Sequence, residues 1–371
     1  MRCGLLHRWL VWAVTALLYG GAAAFASDAP RLNAAPQSDV PVARALEPAV
    51  PHIALLLPAA SGPLGRAAEA VRLGFMAAAK IEGATALPVR AYALAEQPES
   101  AVLEYRRALT NGARIVVGPI TREAVTALAS SGRVAVPTLA LNVPDGEYPL
   151  PPNLFVLSLQ VEAEAAQVAQ LAIEEGRQSA ITMVANTPLL QRIHQAFVEA
   201  FTRLGGKVVA QYEFSPDPAA LGALRKLLRP GMADMTFLAL DFAQARLARP
   251  YFGALPIYAT SQVHPGHLRP LAALDLAAVR FLDMPWLLQP DHPAVMVYPR
   301  AEFADAPDLQ RLYALGIDAF RLSAAFLKGE VQAPLDGVTG HLHLGPDRRY
   351  ARRLIGAQFS DGKLSVFAGR Q

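Results

Sequence analysis

Two close pairs of histidines are the residues whose spacing most resembles a metal or acid–base site. His264 and His267 occur as HPGH, and His341 and His343 as HLH. Two imidazoles hold a metal only together with further ligands, and no carboxylate or thiol stands at ligand spacing beside either pair. His341 and His343 alternate as in a strand and would point together toward solvent. The sequence therefore predicts neither a metal site nor a cofactor.

Nucleophilic catalysis is represented by a single Ser-x-x-Lys match, Ser360-Asp361-Gly362-Lys363. This spacing occurs in enzymes that are acylated on serine, but the companion motifs Ser-Asp-Asn and Lys-Thr-Gly are missing from the sequence. The phosphate-binding, dinucleotide-binding and HExxH patterns are missing as well. We therefore expect no enzyme, with a hydrolase or lyase built from scattered residues as the third alternative.

A third group of polar residues follows segments that are predicted to be strands. Open parallel sheets bind ligands in the crevice outside the carboxyl ends of their strands, so these residues are the candidates for a ligand cleft. Ser61 and Thr121 also precede predicted helices, where ordinary helix capping is an alternative role. The candidates, with the tryptophan that follows the last strand of this series, are Ser61, Gly62, Thr121, Asn142, Asn186, Asp241, Ser261, Gln262 and Trp286.

The elements that position these residues alternate along the chain. From His52 onward, short apolar runs such as HIALLLP alternate with stretches of helical periodicity, which indicates parallel sheets covered by helices on both faces. Two such series predict two lobes. A long helix from Asp308 to Lys328 and late hairpins around residues 345–347 and 361–362 would return to them, forming a hinge with several crossings. We expect residues 52–159 plus 295–332 in lobe 1 and residues 160–294 plus 333–371 in lobe 2.

The composition limits the class of protein. Of the 371 residues, 53% are hydrophobic and 18% are charged, which excludes a disordered chain. Lys and Arg number 34 against 31 Asp and Glu, and no basic block stands out, so nucleic acid is not an expected partner. Four arginines at positions 348, 349, 352 and 353 form a local basic patch, which is interpreted as a solvated hairpin edge or a contact for an acidic partner.

The N-terminus has the layout of a cleavable secretory signal. Residues 1–26 carry Arg2 and Arg8 before an apolar run that ends in Ala-Phe-Ala. The single cysteine, Cys3, precedes that run, so we expect no lipoprotein. Residues 27–51 are rich in proline and alanine and read as a tether. The prediction is a periplasmic protein with no membrane span after cleavage.

Several strings resemble known families. The stretch HIALLLPAASGPLGRAAEAVRLGFMAA resembles the opening of branched-chain amino-acid receptors, which have the type I periplasmic binding protein fold. The strings VVGPITREAV, LFVLSLQVEAEA, DMPWLL and LYALGIDAFRL resemble the C-terminal domain of the LpoA family. This resemblance implies a non-catalytic activator whose partner is a class A penicillin-binding protein, a peptidoglycan synthase.

The chain also departs from both families. Long LpoA proteins are lipoproteins with an N-terminal helical-repeat domain, and the sequence shows neither feature. Amino-acid receptors carry an acidic residue after the strand that corresponds to PIYAT, where Ser261 and Gln262 stand here. An ammonium group without a counter-charge is costly to bury, so an amino acid is disfavoured as ligand unless Asp241 supplies the charge. A periplasmic receptor for a small polar ligand is the alternative function.

Overall fold

The computed structural model describes residues 49–83, 87–146, 149–303 and 306–367. The predicted signal sequence and the tether as far as residue 48 lie outside the described residues. Within the described part of the chain, no helix is both long enough and apolar enough to cross a membrane.

Lobe 1 is built on a five-stranded parallel sheet with the strand order β2-β1-β3-β4-β5. Side chains of β1 alternate between two hydrophobic clusters, with Ile53 and Leu55 on one face and Ala54 and Leu56 on the other. The sheet is therefore covered on both faces, as its apolar strands predict. Its strands are β1 (His52–Pro58), β2 (Val89–Leu94), β3 (Ala113–Val117), β4 (Thr138–Ala140) and β5 (Leu154–Val156), and its first helices are α1 (Gly65–Glu82), α2 (Glu99–Thr110) and α3 (Arg122–Ser130).

Lobe 2 repeats this arrangement on a seven-stranded sheet with the order β15-β14-β10-β9-β8-β6-β7. Strands β6 to β10 are parallel, and the late hairpin β14–β15 adds to the edge in antiparallel orientation. The helices are α4 (Val161–Glu174), α5 (Pro188–Arg203), α6 (Pro218–Leu227), α7 (Phe242–Ala248) and α8 (Pro270–Leu274). The strands are β6 (Ser179–Val184), β7 (Lys207–Glu213), β8 (Met235–Ala239), β9 (Ile257–Ala259), β10 (Val279–Asp283), β14 (Ile355–Ser360) and β15 (Lys363–Phe367).

The remaining elements pack on lobe 1 between two crossings of the chain. They are α9 (Pro285–Leu288), α10 (Pro293–Met296), α11 (Pro307–Lys328) and a three-stranded sheet of β11 (Leu335–Asp336), β12 (His341–Leu344) and β13 (Tyr350–Arg353). The chain passes between the lobes after β5, after β10 and after β13. The predicted fold class, two lobes of parallel sheets flanked by helices and joined by several crossings, is confirmed.

Two lobe boundaries differ from the expected ones. Trp286 lies in the hydrophobic cluster of lobe 1, so the chain returns to that lobe directly after β10 and not at residue 295. Val338, Leu342 and Tyr350 belong to the same cluster, which places residues 335–353 with lobe 1. The apolar alternation of a hairpin shows that one face is buried but not which core buries it, so the sequence could not distinguish the two lobes here.

Helices α1 and α11 pack on one face of the lobe 1 sheet with their backbones in close contact. A Cβ atom on Gly74 would lie 1.9 Å from the carbonyl oxygen of Tyr313, and one on Gly316 would lie 2.1 Å from that of Val71. Both positions therefore require glycine for steric reasons. This contact holds α11 in place, and α11 carries an arginine into the region between the lobes.

Candidate functional site

Charged side chains from both lobes meet where the chain crosses between them. We call Glu164, Ser261, His264, Asp283, Arg311 and Arg352 the crossing cluster. Asp283 ends β10 in lobe 2, and Arg311 lies on the second turn of α11 in lobe 1. The cluster therefore connects the two lobes through side chains.

Asp283 and Arg311 form a buried ion pair across the lobes. The Arg311 guanidinium donates to Asp283 Oδ2 at 2.8 Å and to the carbonyl oxygen of Ser261 at 3.0 Å. The two side chains are only 2% and 9% exposed. Asp283 Oδ2 also lies 2.8 Å from His264 Nδ1, and Oδ1 accepts the N–H of Met284. Burial opposes the charge on Asp283, but Arg311 and His264 together hold the pKa of its carboxyl below the usual range.

Glu164 is the second buried carboxyl group of the cluster. It accepts hydrogen bonds from the backbone N–H of Ser261 and, at 3.1 Å, from the Ser261 hydroxyl. Burial, reinforced by the negative charge of Asp283, raises its pKa from 4.5 to about 7. Between these two pH values the folded chain binds a proton that the unfolded chain releases. Glu164 therefore makes the fold less stable as the pH rises from 4.5 to 7.

Arg352, in the strand before the third crossing, is hydrogen-bonded to the segment of the first crossing. Its guanidinium donates to the carbonyl oxygens of Ser158, after β5, at 2.8 Å, and of Thr339 at 3.0 Å. Burial lowers the pKa of Arg352, which still leaves an arginine charged at neutral pH. From lobe 2, the Gln167 side chain donates to the Arg352 carbonyl and accepts the N–H of Leu354. The crossings are thus fixed by side-chain bonds as well as by chain connectivity.

The cluster offers no nucleophile to the His264–Asp283 pair. A histidine oriented by a carboxylate becomes a catalytic base when its other nitrogen contacts a hydroxyl or thiol. Among the described residues, the His264 ring has one hydrogen bond, to Asp283, and the Ser261 hydroxyl is bonded to Glu164. The described ranges also contain no group of three or more His, Cys, Asp or Glu residues that could hold a metal ion.

Two adjoining cavities lie between the lobes, and a third continues from them along lobe 1. The cluster cavity, about 220 Å³, is lined by Glu164, Ser261, Asp283 and Arg311. The middle cavity, about 240 Å³, shares Leu159, Val161 and Leu312 with it and opens between α3 and α4. The mouth cavity, about 720 Å³, shares Arg122 and Gln160 with the middle cavity. Shared lining residues make the three cavities one interlobe cleft.

The structure distributes the predicted cleft residues over several places. Ser61, Gly62 and Thr121 line a fourth cavity, of about 640 Å³ on lobe 1, which shares Leu64 with the middle cavity, and Thr121 also caps α3 by accepting the N–H of Ala124. In the interlobe cleft, Asn142 lines the middle cavity, and Ser261 and Gln262 line the cluster cavity.

Three predicted residues line none of these four cavities. Asn186 is exposed, and Asp241 forms a capping box with Gln244 at the start of α7. Because its carboxylate already accepts the Gln244 N–H, Asp241 does not supply a free acid to the cleft. Trp286 is fully buried in lobe 1, where its Nε1 donates to Gln310 and Arg300 lies 4.2 Å from the ring centroid.

The sequence reasoning missed Glu164, Asp283, Arg311 and Arg352. One signal could have identified Asp283, because a single acid inside the apolar run VRFLDMPWLL must either be buried with a partner or end the strand. An acid does reach the end of the strand PIYAT, because Glu164 extends from α4 and accepts hydrogen bonds from the N–H and the hydroxyl of Ser261. Its place in the helix VEAEAAQVAQLAIE gave no such signal.

The chain has the type I periplasmic binding protein fold, with two lobes built on parallel central sheets, three crossings of the chain and a cleft between the lobes. Among solved structures, a protein of Chromobacterium violaceum described as a "putative branched-chain amino acid ABC transporter" is 39% identical, with a TM-score of 0.72, covering 83% of this chain and 99% of that one. The LpoA C-domain of Haemophilus influenzae, described as a regulator of PBP1A, is 22% identical with a TM-score of 0.71, covering 85% of this chain and all of that domain.

The family model described as "LppC putative lipoprotein" matches residues 45–227 and 234–362, so the chain belongs to this family. The penicillin-binding protein activator LpoA of Pectobacterium parmentieri is 28% identical over 329 residues, which are 76% of this chain and 48% of that protein. The chain thus spans about half the length of the curated relatives it matches. These relatives confirm the resemblance to LpoA.

The family description and the LpoA relatives support a location in the cell envelope. The word lipoprotein in that description disagrees with the expectation that this chain carries no lipid. That expectation rests on residues 1–26, which lie outside the described residues.

Proposed function

We propose that this chain is a periplasmic activator of a class A penicillin-binding protein and that it regulates peptidoglycan synthesis without catalysing a reaction itself. The support from the comparisons is that the LpoA relatives are named as penicillin-binding protein activators. The part that matches them contains the two lobes and the interlobe cleft.

The crossing cluster is the observation that carries the proposal. A solute receptor works by opening and closing its lobes around a ligand, which requires a hinge whose two arrangements have similar free energies. Here Arg311 of lobe 1 already occupies the carboxylate of Asp283 in lobe 2. Opening the lobes far enough to separate this buried pair would leave Arg311 with only the exposed Asp308 as a counter-charge, and breaking a buried pair costs about 3–5 kcal/mol. A bilobed body held in one arrangement suits a protein that presents a constant surface to a partner.

Activation by such a body requires differential binding. The synthase's active conformation must contact the activator more favourably than its resting conformation does, because only that difference shifts the equilibrium. A tenfold activation requires about 1.4 kcal/mol of differential contact energy, which corresponds to a modest part of a protein interface. No catalytic group of this chain takes part in the reaction.

The test adds the purified full chain to the class A synthases of the same organism and follows glycan polymerisation and peptide cross-linking. We expect binding to one of them and a rise in rate that saturates with the concentration of the chain. No binding and no change in rate with any of these synthases would refute the proposal.

A receptor for a small polar ligand is the second candidate, favoured by the 39% identity to the Chromobacterium violaceum protein. Calorimetric titration with leucine, isoleucine and valine separates the two functions. The activator proposal requires none of these amino acids to bind. Tight binding of one of them, without any effect on the synthases, would establish the receptor instead.

The proposed location is the periplasm, reached through a signal sequence at residues 1–26 that is cleaved after Ala26. The support is the order of positive residues, apolar run and small residues at the end of that segment. Lipid attachment is the alternative that the family description raises.

A further inference from the structure

The mouth cavity carries an excess of positive charge that the proposed activation does not use. Its charged lining residues are Arg122, Arg348, Arg349 and Asp347, so that three guanidinium groups face one carboxylate among the described residues. The arginines come from different elements, Arg122 from the start of α3 and the other two from the turn before β13. The tertiary structure therefore brings these charges together.

Two helix N-termini add to the positive potential of the mouth cavity. Arg122 is the first residue of α3, and Gln160 is the N-cap of the 14-residue helix α4, with no side chain capping it. A helix N-terminus carries a partial positive charge and favours an anion. Arg122 at this position is unfavourable for the helix itself, and the carboxylate of Glu162, 3.4 Å away, compensates its charge in part.

The guanidinium groups have donors that no described residue accepts. Arg122 reaches Glu162 Oε1 at 3.4 Å, which is long for a charge-assisted hydrogen bond, and Arg349 reaches Asp347 at the same distance. Arg348 donates to the Leu150 carbonyl through one terminal nitrogen, and its buried Nε has no hydrogen-bond partner among the described residues. A buried donor without a partner costs free energy and calls for an explanation.

We infer that the mouth cavity is a binding site for a carboxylate-bearing ligand. A planar carboxylate accepts two parallel N–H bonds from a guanidinium group, and Arg122 and Arg349 offer such pairs around one cavity, to which Arg348 adds positive charge. Gln160 adds an amide that can donate to the same ligand. The carboxylate has two sources, a small dicarboxylic acid or the C-terminus of a peptide. The inference rests on the lining of the mouth cavity and does not depend on the proposed activation.

The test is calorimetric titration of the full chain with four probes: succinate, succinamide, tri-alanine and tri-alanine amide. We expect at least one free carboxylate to bind and its amide to bind at least tenfold more weakly. Binding should also weaken with added salt. Preferential binding of succinate identifies a small acid as the source, and preferential binding of tri-alanine identifies a peptide terminus.

Variants locate the binding. Arg122→Gln and Arg349→Gln, both at partly exposed positions, should each lower the affinity for the probe about tenfold to a hundredfold. Arg107→Gln, on α2 at a position whose side chain is 68% exposed, is the matched control and should leave binding unchanged. Circular dichroism confirms that each variant is folded. Equal binding of the free acids and their amides, no binding of either acid, or equal affinity in all variants would overturn the inference.

Discussion

Replacing Arg311 with methionine tests whether the crossing cluster holds the lobes together. Methionine fills a similar volume but removes the guanidinium, leaving Asp283 as a buried carboxylate with His264 and the Met284 N–H as its hydrogen-bond partners. Breaking a buried pair by removing one partner costs about 3–5 kcal/mol. The Arg311–Asp308 contact adds little, because the Asp308 side chain is 80% exposed. We therefore expect the free energy of unfolding to fall by about 3–5 kcal/mol.

The assay is equilibrium unfolding in urea at pH 7.5, with Arg246→Met as the matched control. Arg246 forms an ion pair with Asp275, but the two side chains are 38% and 45% exposed, so its loss should cost at most about 1 kcal/mol. The double variant Arg311→Met with Asp283→Asn should be less destabilised than the sum of the single variants, because neither partner then remains charged and unpaired. If Arg311→Met costs no more than Arg246→Met, the cluster does not hold the lobes.

Three further predictions concern pH, helix packing and processing. Glu164→Gln removes the carboxyl whose raised pKa, about 7, makes the fold lose stability between pH 4.5 and 7. In urea unfolding from pH 5 to 8, the free energy of unfolding of the variant should fall less with rising pH than that of the unmodified chain, by up to about 3 kcal/mol. An unchanged pH dependence would contradict this. Gly74→Ala should destabilise the fold by about 1–3 kcal/mol in thermal unfolding, because the added Cβ meets the Tyr313 backbone. Gly222→Ala in α6, whose Cβ meets open space, should stabilise the fold by about 0.5–1 kcal/mol. Equal effects of the two variants would refute the packing argument. Intact-mass measurement of protein from the native host should show a chain beginning at Ser27, and retention of residues 1–26 or a lipid on Cys3 would disprove cleavage.

The bounds of regular elements follow closely from local patterns in the sequence. The helix predicted from Asp308 to Lys328 is Pro307–Lys328 in the structure, and the apolar run HIALLLP forms β1, His52–Pro58. The apolar run VAVPTLALN forms a shorter strand, Thr138–Ala140, with Pro137 directly before it. Proline has no N–H to give to a neighbouring strand, so the apolar run before it does not continue the ladder.

The candidate site was less accessible to sequence reasoning. Residues after strands were predicted to line one cleft, and two of them, Thr121 and Asp241, are helix caps in the structure. The role of a polar residue at a strand end depends on the backbone conformation at the start of the following helix, and the residue type alone does not determine that conformation.

The sequence by itself determined the alternation of strands and helices and the two lobes, because hydrophobic periodicity is a local property that reports which face of each element is buried. The tertiary structure decided which core buries β12 and β13, and which charges meet at the crossings. Glu164 and Ser261 are 97 residues apart in the chain, and Ser158 and Arg352 are 194 apart. Such contacts depend on how whole elements pack, so no local pattern encodes the partner of a buried charge.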